Sequence, residues 1–145
     1  MAARKPPDKL IIYIDGASRG NPGPAGYGVV IQDREGRVLA ELSGSLGVAT
    51  NNVAEYTALL KALEQARQLG AEEVEVYTDS ELLARQIGGT YAVKSPRLAP
   101  LYRQAQSALS AFRRYRVVHV PREENRVADA LAERGARAAE GDEKR

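Results

Sequence analysis

The sequence contains no cysteine and no tryptophan, and it has a single histidine. The absence of cysteine excludes disulfides and thiolate metal sites and fits a reducing compartment, so we expect a cytoplasmic protein. No run of about 18 apolar residues is present, which argues against a membrane span. The first nine residues, MAARKPPDK, are charged and lack the apolar core of a signal peptide.

The chain also lacks a strong excess of charge of one sign. Its net charge is +2 although its sequence pI is about 9.0, which permits a polyanionic partner without requiring one. A length of 145 residues suits one domain. We expect a monomer with a single domain over residues 9–139, between flexible tails at residues 1–8 and 140–145.

The hydrophobic pattern alternates between strand and helix periods. Strands are predicted at 9–15, 26–33, 37–44, 73–78 and 115–120, and helices at 52–69, 80–87, 97–113 and 124–139. The turn Asp33-Arg34-Glu35-Gly36 predicts a hairpin between the second and third strands. The resulting order, βββαβααβα, predicts an α/β fold in which helices cover a mixed sheet.

Four carboxylates occupy notable positions in this pattern. Asp15 ends the apolar first strand, and Asp79 stands at the end of the strand at 73–78 and opens a helix. If these two strands are parallel neighbours, both side chains lie at the carboxyl edge of the sheet, where open α/β sheets place their sites. Glu55 lies on the inward stripe of its helix, and Asp129 lies in the closing helix.

Each of these carboxylates also has a local explanation. Asp79 is a possible helix N-cap, Glu55 could form a capping box with Asn52, Asp129 suits a helix dipole, and Asp15 suits an Asx-turn. These local roles do not explain why four carboxylates would cluster, because clustered carboxylates resist ionisation unless a cation neutralises them. Oxygen ligands without cysteine or a histidine pair favour Mg²⁺ or Mn²⁺.

Four segments resemble the motifs of type 1 ribonuclease H, in the order of that family. They are YIDGASRGNPGPAGYGVVI, TNNVAEYTALLKAL, VYTDSELLARQI and VPREENRVADALA, and the resemblance spans about residues 9–138. It implies a ribonuclease H-like fold with a five-stranded mixed sheet of order 3-2-1-4-5 and helices on both faces. It also implies an endonuclease that hydrolyses the RNA strand of RNA–DNA hybrids, leaving 5′-phosphate and 3′-hydroxyl ends.

The resemblance further implies which residues form the site. The metal ligands would be Asp15, Glu55, Asp79 and Asp129, holding two Mg²⁺ ions, with Mn²⁺ as a possible substitute. Two such ions can clamp an in-line displacement at phosphorus. Residues expected to contact the hybrid are Gly16, Ala17, Ser18, Arg19, Asn21, Thr50, Asn51, Glu81 and Lys94. Glu81 departs from the glutamine of many relatives: it still accepts hydrogen bonds, but it adds negative charge near the phosphates.

A second departure concerns the segment at residues 88–100, GGTYAVKSPRLAP. Many bacterial members of the family have a basic, tryptophan-bearing protrusion here, so the chain resembles the branch that lacks it. Lys94 and Arg97 remain as candidates for phosphate contacts or as solvated charges. The basic run formed by Arg113, Arg114 and Arg116 is interpreted first as an exposed helix end.

Two residues are candidates for assisting the reaction beside the carboxylates. His119 stands ten residues before Asp129, the spacing of a mobile-loop histidine in some family members, but the valines around it predict a strand. Arg122 follows that strand, and the branch without the protrusion typically has arginine in this position. We favour Arg122, which would hold phosphate, over His119; a surface ion pair with Glu123 or Glu124 is its ordinary alternative.

Two other functions deserve comparison with the ribonuclease. A transposase or resolvase core has the same fold, but it usually lacks TNNVAEY and has additional DNA-binding segments. A non-catalytic hybrid-binding module would be expected to have lost an acidic ligand, whereas all four acidic residues are present.

Overall fold

A computed structural model describes the backbone of residues 7–143 and the side chains of residues 7–141. The strands are β1 (Lys9–Ser18), β2 (Gly23–Gln32), β3 (Val38–Ala49), β4 (Glu73–Thr78) and β5 (Arg114–His119). The helices are α1 (Asn51–Gln68), α2 (Glu81–Ile87), α3 (Leu98–Ser110) and α4 (Arg126–Glu143), with a 3₁₀ turn at Arg122–Glu124. None of the helices in the described part of the chain is long and apolar enough to cross a membrane.

The five strands form one mixed sheet in the order β3-β2-β1-β4-β5. β1 pairs antiparallel with β2, and β2 pairs antiparallel with β3. β4 lies parallel to β1, and β5 lies parallel to β4. The predicted fold class, strand order and element order are therefore confirmed.

The main core lies between the sheet and the helices α1, α2 and α3. Leu10, Ile12 and Ile14 alternate along β1 and are fully buried in this core, as the strand period requires. α1 packs on β1 and on α3, while α4 packs on β1, β2 and β3. The central strand β1 is therefore in contact with α1 on one face of the sheet and with α4 on the other.

Glycines in β2 let α4 lie very close to the sheet. A Cβ added at Gly26 would overlap backbone atoms of Gly135 and Ala136, and one at Gly28 would overlap the carbonyl of Ala128. The facing side of α4 has small alanines, including the fully buried Ala132. The packing of α4 thus depends on the absence of side chains at these positions.

Three strands extend further than the sequence predicts. β1 continues past Asp15 to Ser18, β2 begins at Gly23 rather than at residue 26, and β3 continues past residue 44 to Ala49. Glycines lower strand propensity, so the pattern predicted turns there, but pairing between the three strands overrides that preference. Asp15 is therefore inside a strand, not at its end.

The predicted basic helix end is also wrong. α3 ends at Ser110 because Phe112 turns into the core, and the chain then pairs with β4. Arg114 and Arg116 consequently belong to β5, where Arg116 lies 3.1 Å from a Glu75 carboxylate oxygen.

The C-terminal helix is longer than predicted. Residues 124–125 precede it, and it continues through residues 140–143, which the sequence pattern placed in a tail. Residues 1–6 and 144–145 of the predicted tails lie outside the described residues, and Asp8 accepts hydrogen bonds from the backbone of Glu72 and Glu73. The division into one domain and two flexible tails stays a prediction.

We predict that Gly26→Ala lowers the free energy of unfolding by about 3 kcal/mol, since the added methyl group meets backbone that cannot move aside cheaply. Urea denaturation measures the change. Gly141→Ala is the matched control, because nothing lies within 4 Å of a Cβ there and alanine favours the helix. Equal stability of the two variants would contradict this packing of α4.

Candidate active site

The register of the parallel strands brings Asp15 and Asp79 together. Ile14 pairs with Thr78 as the last β1–β4 pair, and the two aspartates are the next residues along their chains. Ser80, not Asp79, caps α2, since its hydroxyl accepts a hydrogen bond from Leu83 N–H at 3.1 Å. The predicted alternative of Asp79 as an N-cap is therefore wrong, and its carboxylate is left for another role.

Glu55 reaches the same place from α1. Thr50 caps this helix by accepting a hydrogen bond from Val53 N–H at 3.2 Å, so the alternative capping box between Glu55 and Asn52 is wrong. Glu55 is instead buried against β1, where the nearby Gly16 N–H opposes the rise of its pKa. A Cβ at Gly16 would overlap the backbone of α1, so this glycine permits the approach.

The three carboxylates form a tight group, and Asp129 adjoins it. Oxygens of Asp15, Glu55 and Asp79 all lie within 4.8 Å of one another. Asp129, in the first turns of α4, hydrogen bonds to Asp15. All four line one cavity of about 500 Å³. The structure therefore brings together the four carboxylates that the sequence singled out.

Burial makes this group resist ionisation in the absence of a cation. Burial raises the pKa of Asp15 far above its ordinary value, and the charge of Glu55 and a hydrogen bond with Asp129 raise it further. Burial raises the pKa of Glu55 too, although hydrogen bonds from Asp15 and Gly16 oppose the effect. The cluster thus retains a proton at neutral pH that a bound cation would displace.

An unsatisfied oxygen shows that the site suits a metal ion. Glu55 Oε2 is buried and has no hydrogen-bond partner among the described residues. Leaving a buried carboxylate oxygen unpaired is costly, and a cation would remove that cost. The donors in the group of three are all carboxylate oxygens, which suits hard divalent ions.

Arg122 and His119 both line the cavity. His119 is the last residue of β5, so its predicted placement in a strand is confirmed. Arg122 begins the 3₁₀ turn, and its Nη2 lies 3.6 Å from Asp129 Oδ2. The partner of this arginine is thus a carboxylate of the cluster, rather than Glu123 or Glu124.

Comparisons with known proteins agree with this geometry. A model of the reverse transcriptase-like family matches residues 13–135. The solved N-terminal RNase H domain of a Mycobacterium tuberculosis protein is 48% identical, with a TM-score of 0.90 over 92% of this chain and 97% of that one. The RNase H1 of Halobacterium salinarum is 42% identical, with a TM-score of 0.85 over 88% of this chain and 96% of that one.

This chain belongs to the ribonuclease H family. The resemblance found in the sequence motifs is thereby confirmed, and residues 88–97 join α2 directly to α3. The chain spans 34% of the length of a bifunctional M. tuberculosis protein to which it is 50% identical, and 60% of the ribonuclease HI of H. salinarum, to which it is 44% identical.

The predicted hybrid contacts of this ribonuclease H-family chain divide into two groups. Gly16, Ala17, Ser18 and Asn51 line the cavity. The others do not: they are Arg19, Asn21, Thr50, Glu81 and Lys94.

The residues of the second group interact with other parts of the protein or are exposed to solvent. Asn21 Oδ1 accepts a hydrogen bond from Asn51 N–H at 3.0 Å, and Thr50 caps α1. Glu81 lies 3.3 Å from Arg85, and Lys94 is exposed between α2 and α3. Arg19 makes ion pairs with α4, which are described below.

Asn125 and Glu133 also belong to the site, although neither was predicted as a site residue. Asn125 is buried and donates from Nδ2 to the carbonyl of Ile14 at 2.8 Å, which ties the start of α4 to the residue before Asp15. Its spacing of four from Asp129 was the available signal. Glu133 lies one turn beyond Asp129 and also lines the cavity.

We predict that the metal-free protein loses stability as pH rises. A carboxyl whose pKa is raised by folding stabilises the folded state fully below its unfolded pKa, and this contribution is lost on titration toward the folded pKa. The melting temperature in EDTA should therefore fall between about pH 5 and about pH 9. Asp15→Asn should flatten this dependence and raise the melting temperature at the alkaline end.

Mg²⁺ provides the control for this prediction. Because the ion replaces the retained proton, it should stabilise the wild type more at alkaline than at acidic pH. A melting temperature in EDTA that rises steadily with pH would contradict the raised carboxyl pKa values.

Proposed function

We propose that this chain is an endonuclease that hydrolyses the RNA strand of RNA–DNA hybrids, leaving 5′-phosphate and 3′-hydroxyl ends. The observation that supports this most is the group of four carboxylates lining one cavity, with one buried, unpartnered oxygen on Glu55. A related RNase H1, 45% identical with a TM-score of 0.85, was solved in complex with an RNA/DNA hybrid. We further propose that the protein acts as a cytoplasmic monomer.

The four carboxylates would hold two Mg²⁺ ions, or Mn²⁺ in their place. Asp15 is the central ligand in this proposal, because it contacts Glu55 and Asp129 and lies beside Asp79. Two divalent ions supply the activation of the attacking water and the neutralisation of charge on the leaving 3′ oxygen. The closely packed strands and helices hold the four ligands in place, so little reorganisation is needed when substrate binds.

Arg122 would hold the scissile phosphate. Arginine stays protonated at all working pH values, so it cannot act as a general base, but it can offset negative charge in the transition state. Its distance of 3.6 Å from Asp129 Oδ2 is long for a charge-assisted hydrogen bond, which leaves donor groups for a phosphate. His119, which lines the same cavity, is the alternative candidate and would act by proton transfer.

Selection of RNA would depend on its 2′-hydroxyls, since DNA lacks them. The backbone of Gly16 to Ser18 and the amide of Asn51 line the cavity and offer donors and acceptors. Glu81 and Lys94, which lie outside the cavity, would act further out on the hybrid. Retention of all four carboxylates favours a nuclease over a non-catalytic hybrid-binding module.

We predict Mg²⁺-dependent cleavage of a labelled hybrid, with no cleavage of duplex DNA of the same sequence. Asp15→Asn, Glu55→Gln and Asp79→Asn should each lower cleavage by at least a hundredfold, since each removes a metal ligand. Melting without metal should show that the variants stay folded. Full activity of any one of them would overturn the site assignment, and failure of the wild type to cleave hybrid would overturn the function.

We predict that Arg122→Ala lowers turnover tenfold or more, which corresponds to about 1.4 kcal/mol of barrier. His119→Ala should cost much less, because this side chain ends a strand and is not paired with the carboxylates. Both variants are measured at saturating Mg²⁺ and hybrid. A larger loss for His119→Ala would favour proton transfer by histidine instead.

A further inference from the structure

Arg19 connects the turn after β1 to the middle and to the C-terminal part of α4. Its Nε lies 2.6 Å from Glu140 Oε2, and its Nη1 lies 3.4 Å from Glu133 Oε2. These two glutamates are two helical turns apart and so lie on the same face of α4. Glu133 also lines the cavity of the carboxylates. One guanidinium thus joins the β1–β2 turn, residues 19–22, to the helix that provides Asp129.

The same turn is attached on its other side to the start of α1. Asn21 Oδ1 accepts a hydrogen bond from Asn51 N–H at 3.0 Å. The Ser18 hydroxyl lies 2.7 Å from the carbonyl of Ala49, at the end of β3. Both Ser18 and Asn51 form part of the cavity wall. The turn therefore bridges α4 and the α1 side of the cavity.

We propose that Arg19 is a positioning residue, which holds the β1–β2 turn against α4 and thereby fixes Ser18 and Asn51 for the hybrid. It does not contact the phosphates of the hybrid itself. This inference rests on the proposed function for the identity of the ligand. It replaces the expectation from the sequence that the Arg19 side chain contacts substrate.

The charge arrangement supports positioning over direct contact. Two carboxylates beside the Arg19 guanidinium offset its positive charge, so a phosphate gains less from approaching it than from approaching an unpaired arginine. All three side chains are partly exposed, so the pairs contribute little to overall stability. Their main effect is on where the turn lies, and that effect should appear in substrate binding rather than in folding.

The two roles predict opposite effects of Glu140→Gln on hybrid binding. If Arg19 positions the turn, loss of its partner weakens binding. If Arg19 contacts phosphate, loss of a competing carboxylate frees the guanidinium and leaves binding unchanged or tighter. Glu64→Gln is the matched control, because it removes the same charge from an exposed position on α1 that lies in a different groove, between α1 and α3.

The experiment measures the Kd for hybrid in Ca²⁺, with kcat and KM in Mg²⁺. Arg19→Ala and Glu140→Gln should each raise Kd and KM by about two- to fivefold, the range expected for lost exposed ion pairs, with kcat within about twofold. Glu64→Gln should match the wild type. Unchanged or tighter binding by Glu140→Gln would overturn the proposal.

Exchanging the charges of Arg19 and Glu140 tests the same ion pair with opposite polarity. Arg19→Glu alone should weaken binding more than Arg19→Ala, and adding Glu140→Arg should restore much of the loss by rebuilding the pair with opposite polarity. No recovery in the double variant would contradict the positioning role. Melting temperatures are measured in parallel, and Arg19→Lys replaces Arg19→Ala if the latter is unfolded.

Hydrogen exchange separates this inference from the proposed function. Arg19→Ala should increase exchange of the Asn51 amide, whose acceptor lies on the turn, whether or not hybrid is cleaved. Unchanged exchange would overturn the inference while leaving the nuclease assignment intact. Increased exchange in a protein that does not cleave hybrid would overturn the proposed function and leave the coupling between α4 and the turn standing.

Discussion

The close approach of α1 to β1 at Gly16 is the contact on which the candidate site depends. Any side chain there would overlap the backbone of Ala54 and Glu55, and would push α1 away from the sheet. With glycine, the Glu55 carboxylate lies within reach of Asp15 and Asp79. The carboxyl pKa values are raised because the carboxylates are buried close together. This proximity causes both their mutual repulsion without a metal ion and their affinity for cations.

The second half of the site depends on how α4 lies on β2. Gly26 and Gly28 let the helix backbone approach the strand, and this places Asp129 beside Asp15. The amide of Asn125 then holds the Ile14 carbonyl, so the start of α4 and the centre of β1 are joined next to the carboxylates. A shift of α4 would therefore disturb metal ligands and cavity wall together.

Helix capping explains why the carboxylates are free to cluster. The hydroxyls of Thr50 and Ser80 satisfy the N-terminal N–H groups of α1 and α2. Glu55 and Asp79 stand close to these caps in sequence and each could have taken the capping role, which was the strongest local alternative to a metal site. Because serine and threonine fill that role, the acidic side chains are available for chemistry that depends on their charge.

The sequence by itself determined the order of strands and helices, the four carboxylates and the family, because hydrophobic periods and motif spacing are local properties. It did not determine that β1 continues past Asp15, since glycine lowers strand propensity and only pairing with β2 overrides it. Nor did it determine the partners of Arg19 or the burial of Asn125. These depend on contacts between segments more than 100 residues apart, which form only when glycines let the backbones of helix and sheet approach.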